Sequence, residues 1–373
     1  MKKILIILAA WFVLLFLVNK ISSNLIPDRT SYEISHELSV PGRFYILPWL
    51  NFDGRNYLDI ADRGYFQKGE YNLKAFFPAY PLLIRVLSLN TLLNPVFIGL
   101  LISYLCFVFG IILFYRLILK KENKDVALKS VISLLVFPTS FFFLAYYTES
   151  LFFLFMILFF SFMHKKAFLK SAIFAALLSA TRVVGIIFTP LLFCQAWKYY
   201  KEKNGRKFPI SVLIAPSGFI IYFIYDWITG GDPFGIISAQ SAWDRSLSIG
   251  SPIFAISNGL RKIVAGPQVY YDSPFVYPVV IFEFFVLIFI VIFLVFSFNK
   301  IKKSYWLYSL WSLVLILFGG LLSALPRYAL LIFPLHIYIA KYFSNKMYFV
   351  YIIISCLLML VASTLFLRGY WIG

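Results

Sequence analysis

Long apolar runs alternate along this chain with short polar stretches, and many runs approach the length that crosses a bilayer. A spanning helix needs about 20 apolar residues, fewer where helices tilt or pair. On that measure the pattern predicts about eleven spans, over 4–22, 93–119, 127–144, 149–164, 168–181, 184–198, 209–228, 275–298, 305–323, 328–342 and 346–367. The first opens Met1-Lys2-Lys3 in the manner of a signal peptide. No small-residue cleavage site follows at Lys20-Ile21-Ser22-Ser23-Asn24, so it reads as a retained anchor. Two stretches are too long and too polar to span, 23–91 and 229–274. The pattern therefore predicts a single integral membrane domain over 1–373, all-α and polytopic, with two structured loops on one side. Inverted halves, the usual sign of a transporter, are not evident.

Composition agrees with a bilayer as solvent. Hydrophobic types make up 61% of the 373 residues and charged types 13%, against ~45–50% and ~25% in soluble domains. A water-soluble globule of this kind has too little polar surface to cover itself. That excludes a cytosolic enzyme, a disordered chain and a secreted disulfide scaffold.

The formal charge of +18 would suggest nucleic acid in a soluble protein, but its placement says otherwise. One alternate set of loops holds Lys2 and Lys3, Lys120, Lys121, Lys124 and Lys129, Lys165, Lys166 and Lys170, Lys198, Lys201, Lys203, Arg206 and Lys207, Lys300, Lys302 and Lys303, and Lys341 and Lys346. The opposite loops are balanced: 23–91 carries seven basic and seven acidic residues, and 229–274 three of each. Basic loops stay in the cytoplasm. The N-terminus is then inside and, with eleven spans, the C-terminus outside. The charge is a topology signal and requires no nucleic-acid partner. The expected location is the cell membrane, or the endoplasmic reticulum membrane in a eukaryote.

Both long loops fall on the outer side, so the work of the protein is expected there. The first carries Asn51-Phe52-Asp53-Gly54-Arg55-Asn56-Tyr57-Leu58-Asp59-Ile60-Ala61-Asp62-Arg63-Gly64-Tyr65, then Ala75-Phe76-Phe77-Pro78-Ala79-Tyr80-Pro81. One reading is an interfacial amphipathic helix with solvated charges and an aromatic belt. The other is a carboxylate poised over an acceptor hydroxyl as general base. Pattern alone does not rank Asp53, Asp59 and Asp62. Ionisable residues next to spans are costly and often functional, and three such residues fall at outer turns: Glu149, Arg182 and Arg327. Snorkelling, or an Arg182–Glu149 ion pair, would account for each singly. Together they suggest a shared anion site. The second loop runs from Gly230-Gly231-Asp232-Pro233-Phe234 to Trp243-Asp244-Arg245, and 236–243 could form a short helix capping the membrane domain.

Cys106, Cys194 and Cys356 lie in apolar runs without metal-type spacing, and His36, His164 and His336 are scattered. There is no P-loop, G-x-S-x-G, G-x-G-x-x-G, H-E-x-x-H or D-x-D.

These pieces together resemble the PIG-V family of mannosyltransferases, within the glycosyltransferase C superfamily of multi-span enzymes that use lipid-phosphate sugars. Phe52-Asp53 to Ile60-Ala61 and Gly64-Tyr65 is similar to the family's Trp-Asp…Ile-Ala…Gly-Tyr stretch, and Ala75-Phe76-Phe77-Pro78 with Tyr80-Pro81 to its A-F-F-P-x-[YF]-P motif. Phe137-Pro138-Thr139-Ser140, Tyr147-Thr148-Glu149-Ser150, Ala180-Thr181-Arg182 with Gly185, Gly231-Asp232-Pro233, Arg327-Tyr328 with Phe333-Pro334, and Gly369-Tyr370-Trp371 follow in the family's order. Phe52 stands where Trp is usual and Asn56 where His is common. The chain resembles a compact member of prokaryotic type.

The resemblance implies a glycosyltransferase C-type bundle, a polyprenyl- or dolichyl-phosphate sugar as donor, and a lipid or glycan as acceptor among the membrane lipids. It implies a single inverting displacement with Asp53 as base. Arg182 and Arg327 would hold the donor phosphate. Arg55, Asp59, Tyr65, Phe77, Pro78, Tyr80, Glu149, Asp232, Trp243 and Tyr328 would support or bind substrate. A leaving monophosphate needs no divalent metal, so neither metal nor other cofactor is expected. The alternatives are a lipid-linked sugar flippase and a non-catalytic assembly subunit.

Overall fold

The computed structural model describes residues 2–27, 29, 43–65, 67–68, 71–202, 208–230, 232, 234–241, 245, 248, 250–268 and 275–372. Among them the backbone is helical apart from turns and one short antiparallel ladder, in which Gln67 pairs with Asn72 and Lys68 with Tyr71. Five helical segments are long and apolar enough to cross a membrane: Lys2–Leu25, Pro95–Leu119, Ile210–Gly230, Val276–Ser297 and Asn345–Leu367. Glu149–His164, Phe168–Thr181 and Lys303–Phe318 are apolar but shorter. The chain is thus a helical membrane protein.

Two expected spans are broken. The run 127–144 holds a helix over Lys124–Leu135, a turn at Pro138 and a 3-10 segment over Ser140–Phe143. The run 328–342 is divided between Leu325–Leu330 and Phe333–Tyr342, with Pro334 opening the second. Proline lacks the N–H that a continuing helix uses. The shortened helices Lys124–Leu135 and Phe333–Tyr342 pack on each other. Protein groups meet the freed backbone: Trp11 Nε1 donates to the Leu135 carbonyl at 2.7 Å, Ser140 Oγ to the same oxygen at 2.6 Å, and Thr139 Oγ1 to the Pro326 carbonyl at 2.8 Å. Irregular backbone at membrane depth is tolerated only with such partners. Trp11 belongs to the first helix, which buries Ile4, Leu8, Trp11 and Leu15 and lies beside Asn345–Leu367 as a member of the bundle.

The basic loops meet at one end. Lys302 Nζ lies 3.1 Å from His164 Nε2, Lys341 Nζ 2.7 Å from Glu122 Oε1, and Lys129 Nζ 3.2 Å from Asn345 Oδ1. The described parts of 23–91 and 229–274 carry helices of their own, Asp53–Arg63 and Ala79–Leu87, then Gly235–Ser241 and Ser251–Ala265, and Gly235–Ser241 packs on the Leu73–Ala75 turn. Ala79–Leu87 exposes Leu82 and Val86, and Ser251–Ala265 exposes Ile253, Phe254 and Val264. Short helices with an exposed apolar face suit a membrane interface.

Candidate active site

Asp53 opens the Asp53–Arg63 helix, and its position is set by the turn before it. Phe52 holds φ 59°, a region that side chains rarely adopt, and its ring packs against Phe366 and Trp371 with centroids 5.9 and 5.0 Å away. The Tyr147 hydroxyl ties the turn together: it donates to the Asn51 carbonyl at 2.8 Å and accepts from the Asp53 N–H at 3.1 Å. Asn51 Nδ2 donates to the Phe366 carbonyl at 2.8 Å. A strained residue costs about 1–3 kcal/mol and persists only where its surroundings overdetermine it. Here they do so one residue before a carboxylate.

Arg182 follows the last residue of the Phe168–Thr181 helix and turns extended, with φ −153° and ψ 149°. The chain then folds back on that helix end through the 3-10 turn Val183–Ile187. Only glycine fits at 185, because a Cβ there would run into the Leu178 carbonyl. Arg327 sits in the Leu325–Leu330 turn, whose preceding residue Ala324 is left-handed at φ 69°. A second strained backbone residue thus precedes a second charged group of the site.

The three turns bring four charges together. Arg327 Nη1 donates to Asp53 Oδ2 at 2.8 Å. Its Nε lies 3.2 Å from Glu149 Oε1, an ion-pair distance without the angle of a hydrogen bond. Arg182 Nη1 donates to that same Oε1 and, at 3.2 Å, to Thr148 Oγ1. Glu149 is fully buried, and Arg182 and Arg327 nearly so. The rings of Tyr328 and Tyr147 lie beside the guanidiniums, at 4.5 Å from Arg182 and 5.3 Å from Arg327. Removing the fully buried Glu149 carboxylate that both guanidiniums share would leave an uncompensated buried charge, at about 3–5 kcal/mol.

A small cavity of about 60 Å³ opens over this array, lined by Asp53, Tyr57, Arg182, Arg327 and Tyr328 among others. Two further lining residues come from the second loop, Gln240 and Arg245. Arg245 Nη1 donates to Gln240 Oε1 at 3.3 Å. Three guanidiniums against the carboxylates of Asp53 and Glu149 leave a net positive site, suited to an anion. Tyr57 also lines the cavity, and burial pushes its hydroxyl above the usual tyrosine range. Val183, Gln240, Arg245 and Tyr328 also line a second, mostly apolar cavity of about 60 Å³ that runs along Leu315, Ile316 and Leu321. The charged site therefore adjoins an apolar slot.

One wall of the first cavity is the stretch Ala75-Phe76-Phe77. Its backbone is held by side chains of other segments. Tyr222 OH donates to the Lys74 carbonyl at 2.8 Å, Gln240 Nε2 to that of Ala75 at 3.4 Å, and Tyr65 OH to that of Phe76 at 2.8 Å. Lys74 pairs with buried Asp226 at 2.6 Å. Gln240 thereby joins the second loop to the first, and Tyr222 and Asp226 tie the first to the Ser217–Gly230 helix.

Asp53, Arg182, Arg327, Phe77 and Tyr328 line the cavity, and Glu149 underlies it. Other expected site residues lie apart. Asp59 pairs with Arg55 at 3.1 Å across one turn of its own helix, away from the cavity. Asp62 is exposed beside Arg63. Tyr80 is a buried strut whose hydroxyl donates to the Gly99 carbonyl at 3.0 Å. Pro78 precedes the Ala79–Leu87 helix. Tyr65 serves the cavity wall through Phe76 rather than facing the cavity. Asp232 is exposed, and its Oδ1 accepts from the Phe234 N–H at 2.8 Å at the start of Gly235–Ser241. It is a turn-capping residue here, because a carboxylate in Asx position satisfies the free N–H groups of a helix start. Trp243 lies outside the described residues. Sequence reasoning missed Tyr57, Gln240 and Arg245. Arg245 carried the one usable signal, as an arginine in a loop already assigned to the site's side.

No group of three or more His, Cys, Asp or Glu residues that could hold a metal ion occurs among the described residues. No protein-family model matches the chain, and neither a curated protein nor a solved structure matches it.

Proposed function

We propose that this chain is a glycosyltransferase of the C type, akin to the PIG-V mannosyltransferases, with about eleven spans and its site on the outer or luminal side. The observation that carries the reading is one cavity presenting three guanidiniums and a carboxylate beside an apolar slot. A polyprenyl-phosphate sugar has that same division: an anionic phosphate, a sugar on one side of it and a long apolar tail on the other.

In this reading Arg182, Arg245 and Arg327 bind the donor phosphate through charge-assisted bonds. Positive charge fixed in a poorly hydrated site stabilises the phosphate most as it leaves, when its charge grows. The acceptor hydroxyl oxygen attacks the anomeric carbon, and the carbon–oxygen bond to phosphate breaks with its electron pair on the phosphate. Asp53 takes the hydroxyl proton, and the configuration inverts. Among the described residues the Asp53 carboxylate is engaged through Oδ2, by Arg327. Donor phosphate drawing on Arg327 weakens that pair and releases the carboxylate for the acceptor. The site's depth fits a lipid-borne donor. The helices that end at it, Glu149–His164 and Phe168–Thr181, have 16 and 14 residues. At 1.5 Å per residue they rise about 24 and 21 Å, short of a hydrocarbon core of about 30 Å. The array then lies below the membrane surface, within reach of a lipid phosphate.

The test is transfer from polyprenyl-phosphate mannose to a membrane lipid extract by the purified chain, with Asp53→Asn as control. Expected is a mannosylated lipid of inverted configuration that the variant does not form. Absence of any product with the wild-type chain across polyprenyl-phosphate hexoses defeats the reading.

A further inference from the structure

At the basic end, opposite the candidate active site, a cleft of about 200 Å³ is lined by Lys121, Lys300, Lys302 and Lys341. We propose that this cleft binds the phosphate headgroup of an anionic phospholipid. Basic loops in general need no such ligand, since loop lysines orient a membrane protein by themselves and favour helix C-termini. The particulars of this cleft go further. Its four ammonium groups face a single lining carboxylate, Glu122, which is already engaged by Lys341 at 2.7 Å. Lys302 is half-buried, and its Nζ lies 3.1 and 3.3 Å from the ring nitrogens of His164 and 5.0 Å from the centre of the Tyr305 ring. Neither group carries negative charge. Burial, with Lys121 beside it, pushes the Lys302 ammonium down to about 8. The fold thus gathers cations where they repel one another.

A phosphate is the complement of that arrangement, and a phospholipid rather than free phosphate fits the walls. Ile118, Ile301 and Ile337 line the cleft together with the lysines. The cleft lies at the end of Pro95–Leu119 and along Phe333–Tyr342, and its Lys300 and Ile301 follow the end of the apolar Val276–Ser297 helix. An acyl chain leaving it continues along apolar helix surface. Basic pockets between helices on this side of membrane proteins hold anionic headgroups for the same reason.

The full chain in nanodiscs tests this without reference to sugar transfer. Lys302 acylation by an amine-reactive ester is followed by mass spectrometry in discs of phosphatidylcholine alone and of phosphatidylcholine with phosphatidylglycerol. Headgroup binding restores the ordinary ammonium, so acylation of Lys302 slows by about tenfold or more in the mixed discs. Equal rates in the two discs overturn the proposal. Inorganic phosphate added to phosphatidylcholine discs is expected to protect little. Protection equal to that by phosphatidylglycerol assigns the cleft to free phosphate and overturns the lipid assignment. In native mass spectrometry, Lys121→Gln/Lys302→Gln is expected to bind phosphatidylglycerol about thirty-fold more weakly, from two charges at about 1 kcal/mol each. Unchanged binding by a folded double variant overturns the proposal. The wild-type acylation comparison stands whether or not that variant folds.

Discussion

Asp53→Asn separates chemistry from folding at this site. Asn has the volume of Asp and can still accept from Arg327 through its amide oxygen, so the change removes charge and basicity but little else. The Asp53 side chain is 14% exposed, and its bond to Arg327 is 2.8 Å. A bond involving a charged acceptor contributes about 1.5–3 kcal/mol and a neutral one about 0.5–1.5, which puts the folding loss near 1 kcal/mol. Arg327 is not left as an unpaired buried charge, because Glu149 Oε1 remains 3.2 Å from its Nε. Loss of a general base costs ~10²–10⁴-fold in rate, or about 3–5 kcal/mol of barrier. Transfer should therefore collapse while the melting temperature in detergent falls by a few degrees at most. The assay is product formed per minute from polyprenyl-phosphate mannose at saturating donor, run beside a thermal melt. Asp59→Asn is the internal control. Asp59 pairs with Arg55 and does not line the cavity, so its change should cost far less transfer. Near-normal turnover by Asp53→Asn, with Asp59→Asn or Asp62→Asn dead, means the wrong carboxylate was chosen. Normal turnover by all three means that no aspartate of this helix is the base.

Four further outcomes follow from the same geometry. Glu149→Gln removes the oxygen charge that both Arg182 and Arg327 share, so it should destabilise by about 3–5 kcal/mol, read as a lowered melting temperature or aggregation on gel filtration; a variant as stable as wild type contradicts the buried array. Arg245→Gln removes a cavity guanidinium that donates to the uncharged Gln240, so folding should hold while the donor KM rises by roughly ten- to a hundred-fold, as for a lost charged hydrogen bond. Gly185→Ala places a methyl on the Leu178 carbonyl and should displace Arg182, lowering both transfer and stability, whereas Ala at the unobstructed Gly250 should change neither. Single cysteines at exposed Asp232 and exposed Lys124 should label from opposite sides of sealed vesicles, 232 from the outer side; labelling of both from one side reverses the topology.

The pattern of apolar runs was enough to read a helical membrane protein, because a bilayer demands that pattern wherever a helix crosses it. It also marked which loops are basic, and the structure gathers the described members of that set at one end. Long helices such as Pro95–Leu119 are legible because each satisfies its own backbone and needs only length and apolarity. The broken runs were not: whether Pro138 and Pro334 bend a span or end it depends on what meets the freed carbonyls, and Trp11, Ser140 and Thr139 come from elsewhere in the chain or the turn itself. The same distinction holds at the site. Glu149, Arg182 and Arg327 stood out because charges beside spans are costly, and that cost is a property of sequence position. Which of Asp53, Asp59 and Asp62 joins them was decided by helix phase and by the Phe52 turn, pinned by Tyr147 and packed on Phe366 and Trp371 more than 300 residues away in the chain. Asp232 and Arg245 are equally polar and sit in the same loop. Asp232 caps its own turn two residues on, a local matter, whereas only tertiary packing sends Arg245 into the cavity, because a single sequence does not state which way a loop folds over its neighbours.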